Sequence, residues 1–421
     1  MAVKVEIDGG IDYRGQVCRS AKYQVTGYCH FLPVEETLER ILPILKEIGV
    51  SRIGNITGLD RIGIPVVNAI RPNLDGYAVQ HGKGLTVKGA KVSAGMEAIE
   101  RYYGSHVTLT AWREIYRRLR EKHHVIPLER LLLSRYSLFH VDLPEWWVPG
   151  WDIMNRQEVA VPYNLVNLIR KNGAAEPDNF QSTSNGLAAG TDFLEAVAQA
   201  LLEVIERDAV TCHDLAARYA GAEFPVKRVE KEMIPFPGVR EVLERIEAAD
   251  VMPLLFDCET DTGVPVFNCF LIDSLYPHAI LCHGMGASLN SATAMTRAIT
   301  EAAQARAVYR GGARDIYFQD QFFIHKMYRK EEIVSKIEKI VPNVSMVHFR
   351  NEETATFEGD IRRCLEKLKN VGIEQVIVLD ISPPQGDVFV VRVIVPGLEG
   401  YVLPNFSPGQ RAKEYSEGKE I

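Results

Sequence analysis

The chain lacks the features that mark several common protein classes. None of its apolar runs could cross a bilayer: the longest uncharged stretch, Ser274 to Thr296, carries Pro277, His278, two glycines and several hydroxyls. A membrane span is thereby excluded there, and loops are expected. The first ten residues have no apolar secretory core, so a cytoplasmic location is expected. The seven cysteines form no C-x-x-C pair, which argues against a disulfide scaffold and for reduced thiols. Three of them precede histidine, at Cys29-His30, Cys212-His213 and Cys282-His283. Neighbours on a strand point to opposite faces, so these pairs are expected to be structural rather than zinc-binding. Basic charge is not in excess either, with 48 Lys and Arg against 55 Asp and Glu. A net charge of −7 leaves no general excess for neutralising phosphates, and no nucleic-acid partner is expected. A P-loop is missing too, since Gly82-Lys83 is followed by Gly84 and position 77 is tyrosine.

What is present is an ordinary globular balance, 46% hydrophobic and 24% charged, over 421 residues, enough for a large core or several subdomains. Glu35 to Ile48 has helical periodicity, stopped by Gly49. Arg52–Ile56 and Ile64–Ile70 read as strands about a turn at Gly58-Leu59-Asp60, and Pro253–Phe256 and Val264–Ile272 read as two more. Further on, helices are expected at Glu331–Ile340 and Phe357–Asn370, with strands at Val344–Phe349, Gln375–Asp380 and Val388–Val395. Helices and strands alternating with hairpins predict an α+β fold with mixed sheets. The expected division is an N-terminal subdomain 1–59, a catalytic core 60–310 and a C-terminal subdomain 311–421.

The most informative pattern is internal. Glu97-Ala98-Ile99-Glu100-Arg101 and Glu203-Val204-Ile205-Glu206-Arg207 share E-x-I-E-R, 106 residues apart. On a helix, Glu97, Glu100 and Arg101 project from one face, with Ser93 one turn earlier. Val92, Met96, Ile99 and Tyr103 form the other stripe. In the second segment Glu195, Gln199, Glu203 and Glu206 make the polar face and Leu194, Ala198, Leu201 and Ile205 the apolar one. A third segment again pairs arginine with glutamate, in Arg297-x3-Glu301-x2-Gln304-x-Arg306, on an alanine-rich helix suited to close packing. Any one such helix reads as a solvated face with i,i+4 ion pairs contributing a few tenths of a kcal/mol. Repetition changes the reading. Mg²⁺ takes one or two carboxylates plus phosphate oxygens, and arginine offers fork-shaped donors to phosphate. Carboxylates and arginines from several helices therefore suit a triphosphate–metal site without a P-loop. Gly82-Lys83-Gly84 offers a flexible backbone and one cation, and Ser184 to Thr191 offers amides and hydroxyls at a helix N-terminus.

In this order the motifs resemble those of the YcaO family. They are Ser93-x3-Glu97-x2-Glu100-Arg101, Ser184-Asn185-Gly186 followed by Glu203-x2-Glu206-Arg207, and the Arg297 segment. Gly82-Lys83-Gly84, Gly312-Ala313-Arg314-Asp315 and Val393 to Leu398 add to the match. The resemblance implies a YcaO-type fold with pseudo-duplicated acidic helices, and ATP and Mg²⁺ as cofactors. It implies metal ligation by Glu97, Glu100, Glu203 and Glu206. Phosphate contacts would come from Lys83, Arg101, Arg207 and Arg297, and the nucleotide pocket would be completed by Ser93, Ser184, Asn185 and Gln199. Arg207, Arg297 and Glu301 are the expected catalytic residues.

The family's chemistry implies ATP-dependent phosphorylation of a peptide backbone amide. Azoline-forming members typically end in P-x-P-x-P, whereas Pro396, Pro404 and Pro408 make no such pattern. Thr57-Gly58-Leu59-Asp60-Arg61-Ile62-Gly63-Ile64-Pro65-Val66 resembles instead the TfuA-associated branch. Thioamidation is the expectation, with sulfide or a sulfur carrier as donor, and a glycine of methyl-coenzyme M reductase as one substrate known in that branch. Azoline cyclodehydration and a non-catalytic nucleotide-binding role stand as alternatives. Expected partners are a peptide or protein substrate, a TfuA-like protein and a second copy of the chain.

Overall fold

Three strand–turn–helix units organise the molecule. In the computed structural model, residues 9–25, 28–72, 78–134, 136–168, 179–219, 227–276, 281–312, 334–335, 348–384, 386–400 and 407–418 are described. Two N-terminal hairpins come first, β1 (Ile11–Tyr13) with β2 (Gln16–Cys18) and β3 (Tyr23–Val25) with β4 (Tyr28–His30), ahead of helix α1 (Val34–Glu47). A three-stranded sheet follows, β5 (Arg52–Asn55), β6 (Val66–Ile70) and β7 (Val79–Lys83), and leads directly into α2 (Val87–Ser105).

The second sheet has six strands. β8 (Trp112–Ile115), leading into a helical turn α3 (Tyr116–Leu119), pairs with β9 (Pro144–Asp152); β9 pairs with β10 (Gln157–Pro162) and continues through β16 (Ile377–Asp380) and β17 (Phe389–Ile394) to β11 (Leu187–Gly190). β11 leads into the long helix α4 (Phe193–Tyr219). The third sheet runs β12 (Lys227–Val229), β13 (Val251–Asp257), β14 (Val266–Asp273), β15 (Cys282–Ala287), with α5 (Pro237–Glu247) between its first two strands and α6 (Ser291–Arg310) after its last. Helices α7 (Phe357–Asn370) and α8 (Gln410–Ser416) complete the chain.

The fold is α+β. Its mixture lies in helices laid on sheets, for every named ladder among the described residues is antiparallel. The expected helix at Phe357–Asn370 forms with those bounds, started by Thr356, whose hydroxyl accepts the Gly359 N–H. Ser274 to Thr296 corrects the sequence reading. Read as loops, it contains β15 and the first turns of α6. Its glycines hid the strand, and their purpose is contact: a Cβ on Gly284 would sit 2.2 Å from the Ala302 nitrogen, and one on Gly286 would sit 2.2 Å from the Ala294 oxygen. Gly312 to Asp315, the helix expected at Glu331–Ile340 and the strand expected at Val344–Phe349 fall largely outside the described residues.

Each central helix packs on the strand that precedes it, α2 on β7, α4 on β11 and α6 on β15. Each also touches the strand of another unit: α2 meets β11, α4 meets β15 and α6 meets β7. The three units thus close into a ring. Close approach depends on small residues at matching places. Gly82 faces Ala90 and Ala94 as Gly286 faces Ala294 and Ala298, with Ala188, Ala196 and Ala200 at the equivalent points between them. These alanines are fully buried or nearly so, and backbone meets backbone along the seam. Helix starts are well fixed: Thr86 caps α2, Asn290 caps α6, and Asp192 Oδ1 accepts the Leu194 and Glu195 N–H groups at the head of α4.

Candidate active site

The ring places the repeated motifs in one register. Counted from the first residues Val87, Phe193 and Ser291, equivalent positions are Ser93, Gln199 and Arg297; then Glu97, Glu203 and Glu301; then Glu100, Glu206 and Gln304. The pseudo-duplication seen in the sequence is a threefold repeat in space. The third copy departs from the E-x-I-E-R pattern, with Gln304 in place of the second glutamate and Ala305 where the other two carry arginine.

Direct contacts join the units. The Lys83 ammonium, at the end of β7, pairs with the Glu301 carboxylate of α6. Ser93 Oγ accepts the Lys83 backbone N–H at 3.3 Å, tying that strand end to α2. Arg297 Nη1 donates to Gln199 Oε1 at 3.3 Å, tying α6 to α4. Glu206 Oε2 accepts the Ala287 N–H at 2.9 Å, tying α4 to β15. By contrast Arg101 lies 3.9 Å from Glu97 and Arg207 lies 3.6 Å from Glu203, too far for hydrogen bonds.

Electrostatics show that the carboxylates form one set. Burial pushes Glu100 well above the usual carboxylate range; Arg101 and Arg392 oppose that shift and the charges of Glu203 and Glu97 add to it. Burial raises Glu203, against Arg207, Arg101 and Arg392 and with Glu301. Burial raises Glu206 to about 7, with Glu301 and Glu203 pushing up and Arg297 and Arg207 pulling down. Burial acts on Glu301 as well, but Lys83 and Arg207 hold it below its ordinary value. The protein leaves most of these carboxylates under-compensated.

That imbalance is the test for a bound cation, and the residues fit one. Among the described residues no three carboxylate, imidazole or thiolate groups converge tightly enough to hold an ion unaided. Carboxylate donors match Mg²⁺, which takes one or two carboxylates and completes its shell from phosphate oxygens and water.

Three expectations are revised by the coordinates. Gly82 and Gly84 are packing glycines rather than a flexible phosphate loop: a Cβ at Gly84 would lie 2.8 Å from the Ala90 nitrogen. Ser184 to Thr191 is a turn plus β11 rather than a helix N-terminus, with the Ser184 carbonyl accepting the Leu187 N–H at 3.0 Å. Glu195 leaves the polar face. It is 3% exposed, and its carboxylate accepts from Thr191 N (2.8 Å), Thr191 Oγ1 (2.9 Å) and Phe31 N (3.3 Å), with His30 Nδ1 at 3.0 Å. It clamps the start of α4 to the N-terminal hairpins.

Arg306, part of the third motif, turns away into a buried network. Its guanidinium donates to Asp60 at 2.9–3.0 Å and to Asp273 at 2.6 Å, while Arg61 and Arg310 also hold Asp273. Asp60 and Arg61 belong to the Thr57–Val66 segment, which this network fixes to the far end of α6. One residue near the carboxylates was missed altogether. Arg392, on β17, is 3% exposed, and its charge is felt by both Glu100 and Glu203. A lone arginine inside the apolar run Val388–Val395 was the available signal.

A family model described as YcaO cyclodehydratase, ATP- and Mg²⁺-binding, matches residues 81–399. The chain belongs to the YcaO family. Its cofactors are ATP and Mg²⁺, and it falls in an ATP-dependent, amide-activating class of enzymes. An uncharacterized protein of Methanothermobacter thermautotrophicus is 34% identical over 387 residues, 90% of this chain and 97% of that protein. One from Rhizobium leguminosarum bv. trifolii, described as lying in the tfuA 3′ region, is 31% identical over 402 residues, 91% of this chain and 92% of that protein. Among solved structures, YcaO from Methanopyrus kandleri bound with AMPPCP and Mg²⁺ superposes with a TM-score of 0.68 at 24% identity, over 91% of this chain and 97% of that one. A heterocyclase in complex with substrate and cofactor gives 0.75 at 19% identity, over 91% of this chain but 54% of that one. These two likenesses establish the fold. No helix among the described residues is long and apolar enough to cross a membrane.

Proposed function

We propose that this protein thioamidates a peptide backbone, phosphorylating the amide oxygen with ATP and admitting a sulfide-type nucleophile. The observation that carries the reading is the ring of under-compensated carboxylates from α2 and α4, faced by Lys83, Arg101, Arg207 and Arg297. In this reading Glu97, Glu100, Glu203 and Glu206 hold Mg²⁺. Lys83, Arg101, Arg207 and Arg297 orient the phosphates, and Ser93, Ser184, Asn185 and Gln199 complete the nucleotide pocket. Glu301 acts through Lys83, holding that ammonium at the mouth of α2. Mg²⁺, when bound, supplies charge neutralisation for the transferring phosphoryl group. Arg207 and Arg297 add donors fixed in place before reaction, which is where most electrostatic rate enhancement arises.

The sulfur branch is supported by the relative from the tfuA 3′ region and by the resemblance of the Thr57–Val66 sequence to the TfuA-associated branch. A TfuA-like protein as partner, a second copy of the chain, and methyl-coenzyme M reductase as one substrate belong to the same proposal, as does a catalytic core spanning 60–310. The experiment is incubation with ATP, Mg²⁺, sulfide and candidate peptides, read by intact mass. Exchange of oxygen for sulfur adds about 16 Da, whereas azoline formation removes about 18 Da, by the fate of the activated oxygen. A loss of about 18 Da would replace thioamidation with cyclodehydration, and ATP binding without any peptide-dependent turnover would reduce the protein to an accessory role.

A further inference from the structure

Residues 116–124 are strongly basic in a chain whose net charge is −7. They include Arg117, Arg118, Arg120 and Lys122 against Glu121 alone, and all five are exposed. The segment is compact. Helix α3 runs on into a hydrogen-bonded turn, where the Glu121 N–H donates to the Arg118 carbonyl at 3.3 Å and the Lys122 N–H to the Leu119 carbonyl at 3.0 Å. Leu119, 2% exposed, pins it into a small core with Trp147 and Ala160. Asp142 neutralises Arg117, accepting from it at 2.7 and 3.0 Å. Among the described residues no carboxylate pairs with Arg118, Arg120 or Lys122, and Arg120 stands over the Tyr116 ring at 5.9 Å. Three uncompensated cations within about two helical turns raise the local potential and attract an anion.

Beside the cations a loop, 136–144, turns apolar side chains outward. Tyr136 is 73% exposed, Leu138 68% and Leu143 53%. Hydrogen bonds hold this loop: the Leu138 N–H donates to Asn179 Oδ1 at 2.9 Å, the Phe139 N–H to Ser137 Oγ at 3.2 Å, and Asn179 Nδ2 to Glu145 at 2.7 Å. It abuts the basic turn through the Arg117 N–H, which donates to the Val141 carbonyl at 3.2 Å, and through Phe139, edge-on to Tyr116 at 6.4 Å. Exposed apolar groups held in place beside arginines have the make-up of a contact surface. We infer that the basic turn and this loop together dock an acidic peptide segment of another protein. Its carboxylates meet Arg118, Arg120 and Lys122, and its apolar side chains meet Leu138 and Leu143. This surface lies apart from the carboxylate ring and does not depend on the thioamidation reading. Nucleic acid fits it less well, for a run of phosphates needs an extended basic face and successive bases need open rings. Here Trp112 is engaged by His123, and Tyr116 by Trp147 and Phe139. A membrane surface calls for a longer apolar face than three side chains on a loop.

The test is fluorescence anisotropy on the full chain with short labelled peptides of Glu-Glu-Leu repeats, beside matched Gln-Gln-Leu and Glu-Glu-Ser repeats. The Glu-Glu-Leu peptide should bind about tenfold more tightly than either, and more weakly as salt is raised. Arg118→Glu combined with Lys122→Glu should weaken that binding by about tenfold or more and leave Mg²⁺·ATP affinity unchanged. Leu138→Ser should weaken it with every charge in place. Lys46→Glu with Arg52→Glu makes the same charge change at exposed sites elsewhere and should leave it as it was. Equal binding of the Gln-Gln-Leu peptide overturns the proposal, as does unchanged binding by the Arg118/Lys122 variant or by Leu138→Ser, or equal weakening by the Lys46/Arg52 pair. Loss of Mg²⁺·ATP affinity in the Arg118/Lys122 variant overturns it by assigning the turn to the nucleotide site. A DNA duplex or phosphatidylserine vesicles that bind more tightly than the peptide, and release in that variant, overturn it in favour of nucleic acid or membrane. A sedimentation coefficient that falls in the same variant makes the surface a contact between copies of the chain instead.

Discussion

Replacing Gly82 by alanine should damage both stability and nucleotide binding, for a reason visible in the seam between β7 and α2. The added Cβ would lie 2.0 Å from the Ala94 nitrogen and 2.2 Å from the Ala90 oxygen. Both are backbone atoms, so no side chain can swing aside. Ordinary contact between such atoms needs about 3.5 Å, so strand and helix must separate by more than about 1 Å. Overpacking of a well-filled interior typically costs about 1–3 kcal/mol, and a clash with rigid backbone on both sides belongs at or above the top of that range. The displaced strand carries Lys83 away from Ser93 and Glu301. A misplacement of about 1 Å can cost roughly a hundredfold in catalysis. The assay is urea unfolding together with Mg²⁺·ATP affinity measured with a fluorescent analogue. Gly238→Ala is the control, because Gly238 lies in α5 with nothing within 4 Å of the added atom. It should be neutral or stabilise by up to about 1 kcal/mol. A Gly82→Ala protein as stable as wild type, binding nucleotide as well, would refute the claim that backbone contact sets this site.

Other variants probe different parts of the same architecture. Glu206→Gln and Arg207→Ala should abolish ATP-dependent turnover with little change in fold, checked by phosphate release beside circular dichroism. Asp273→Ala removes the acceptor shared by Arg61, Arg306 and Arg310, leaves Arg306 paired with Asp60 alone, and should destabilise by about 1–3 kcal/mol in urea unfolding. Arg61 and Arg306 hold the Asp273 carboxyl below its ordinary range, overcoming the upward push of burial. Its contribution is therefore complete above the unfolded value of about 3.9 and is lost as pH falls toward the folded one. Asp273→Asn should accordingly flatten the acid limb of the stability curve between about pH 4 and pH 2, read by denaturation across that window. Glu195→Ala removes the acceptor shared by Thr191, Phe31 and His30, and should cost about 2 kcal/mol in thermal or chemical unfolding.

Periodicity and charge pattern, both local, were enough to reveal the two E-x-I-E-R helices, the arginine–glutamate third segment and the α+β class. A helix face is written in residues three and four apart, so the polar positions Glu97, Glu100, Glu203 and Glu206 are legible without coordinates. What local pattern cannot carry is which faces meet. The ring of three units, the equivalence of Glu301 with Glu97 and Glu203, and the pairing of Lys83 with Glu301 arise from contacts between segments 81 to 218 residues apart. Glycines at 82, 284 and 286 read as loops in the sequence because their small size signals freedom, whereas in the fold it permits contact. Glu195 looked like one more member of an acidic face until its burial against Thr191 made it a clamp. Arg392 became informative only when the sheet buried it beside two carboxylates from separate helices. Helix positions are set by neighbours along the chain, but the charge balance of a buried site is set by neighbours in space, and that balance only the tertiary structure decides.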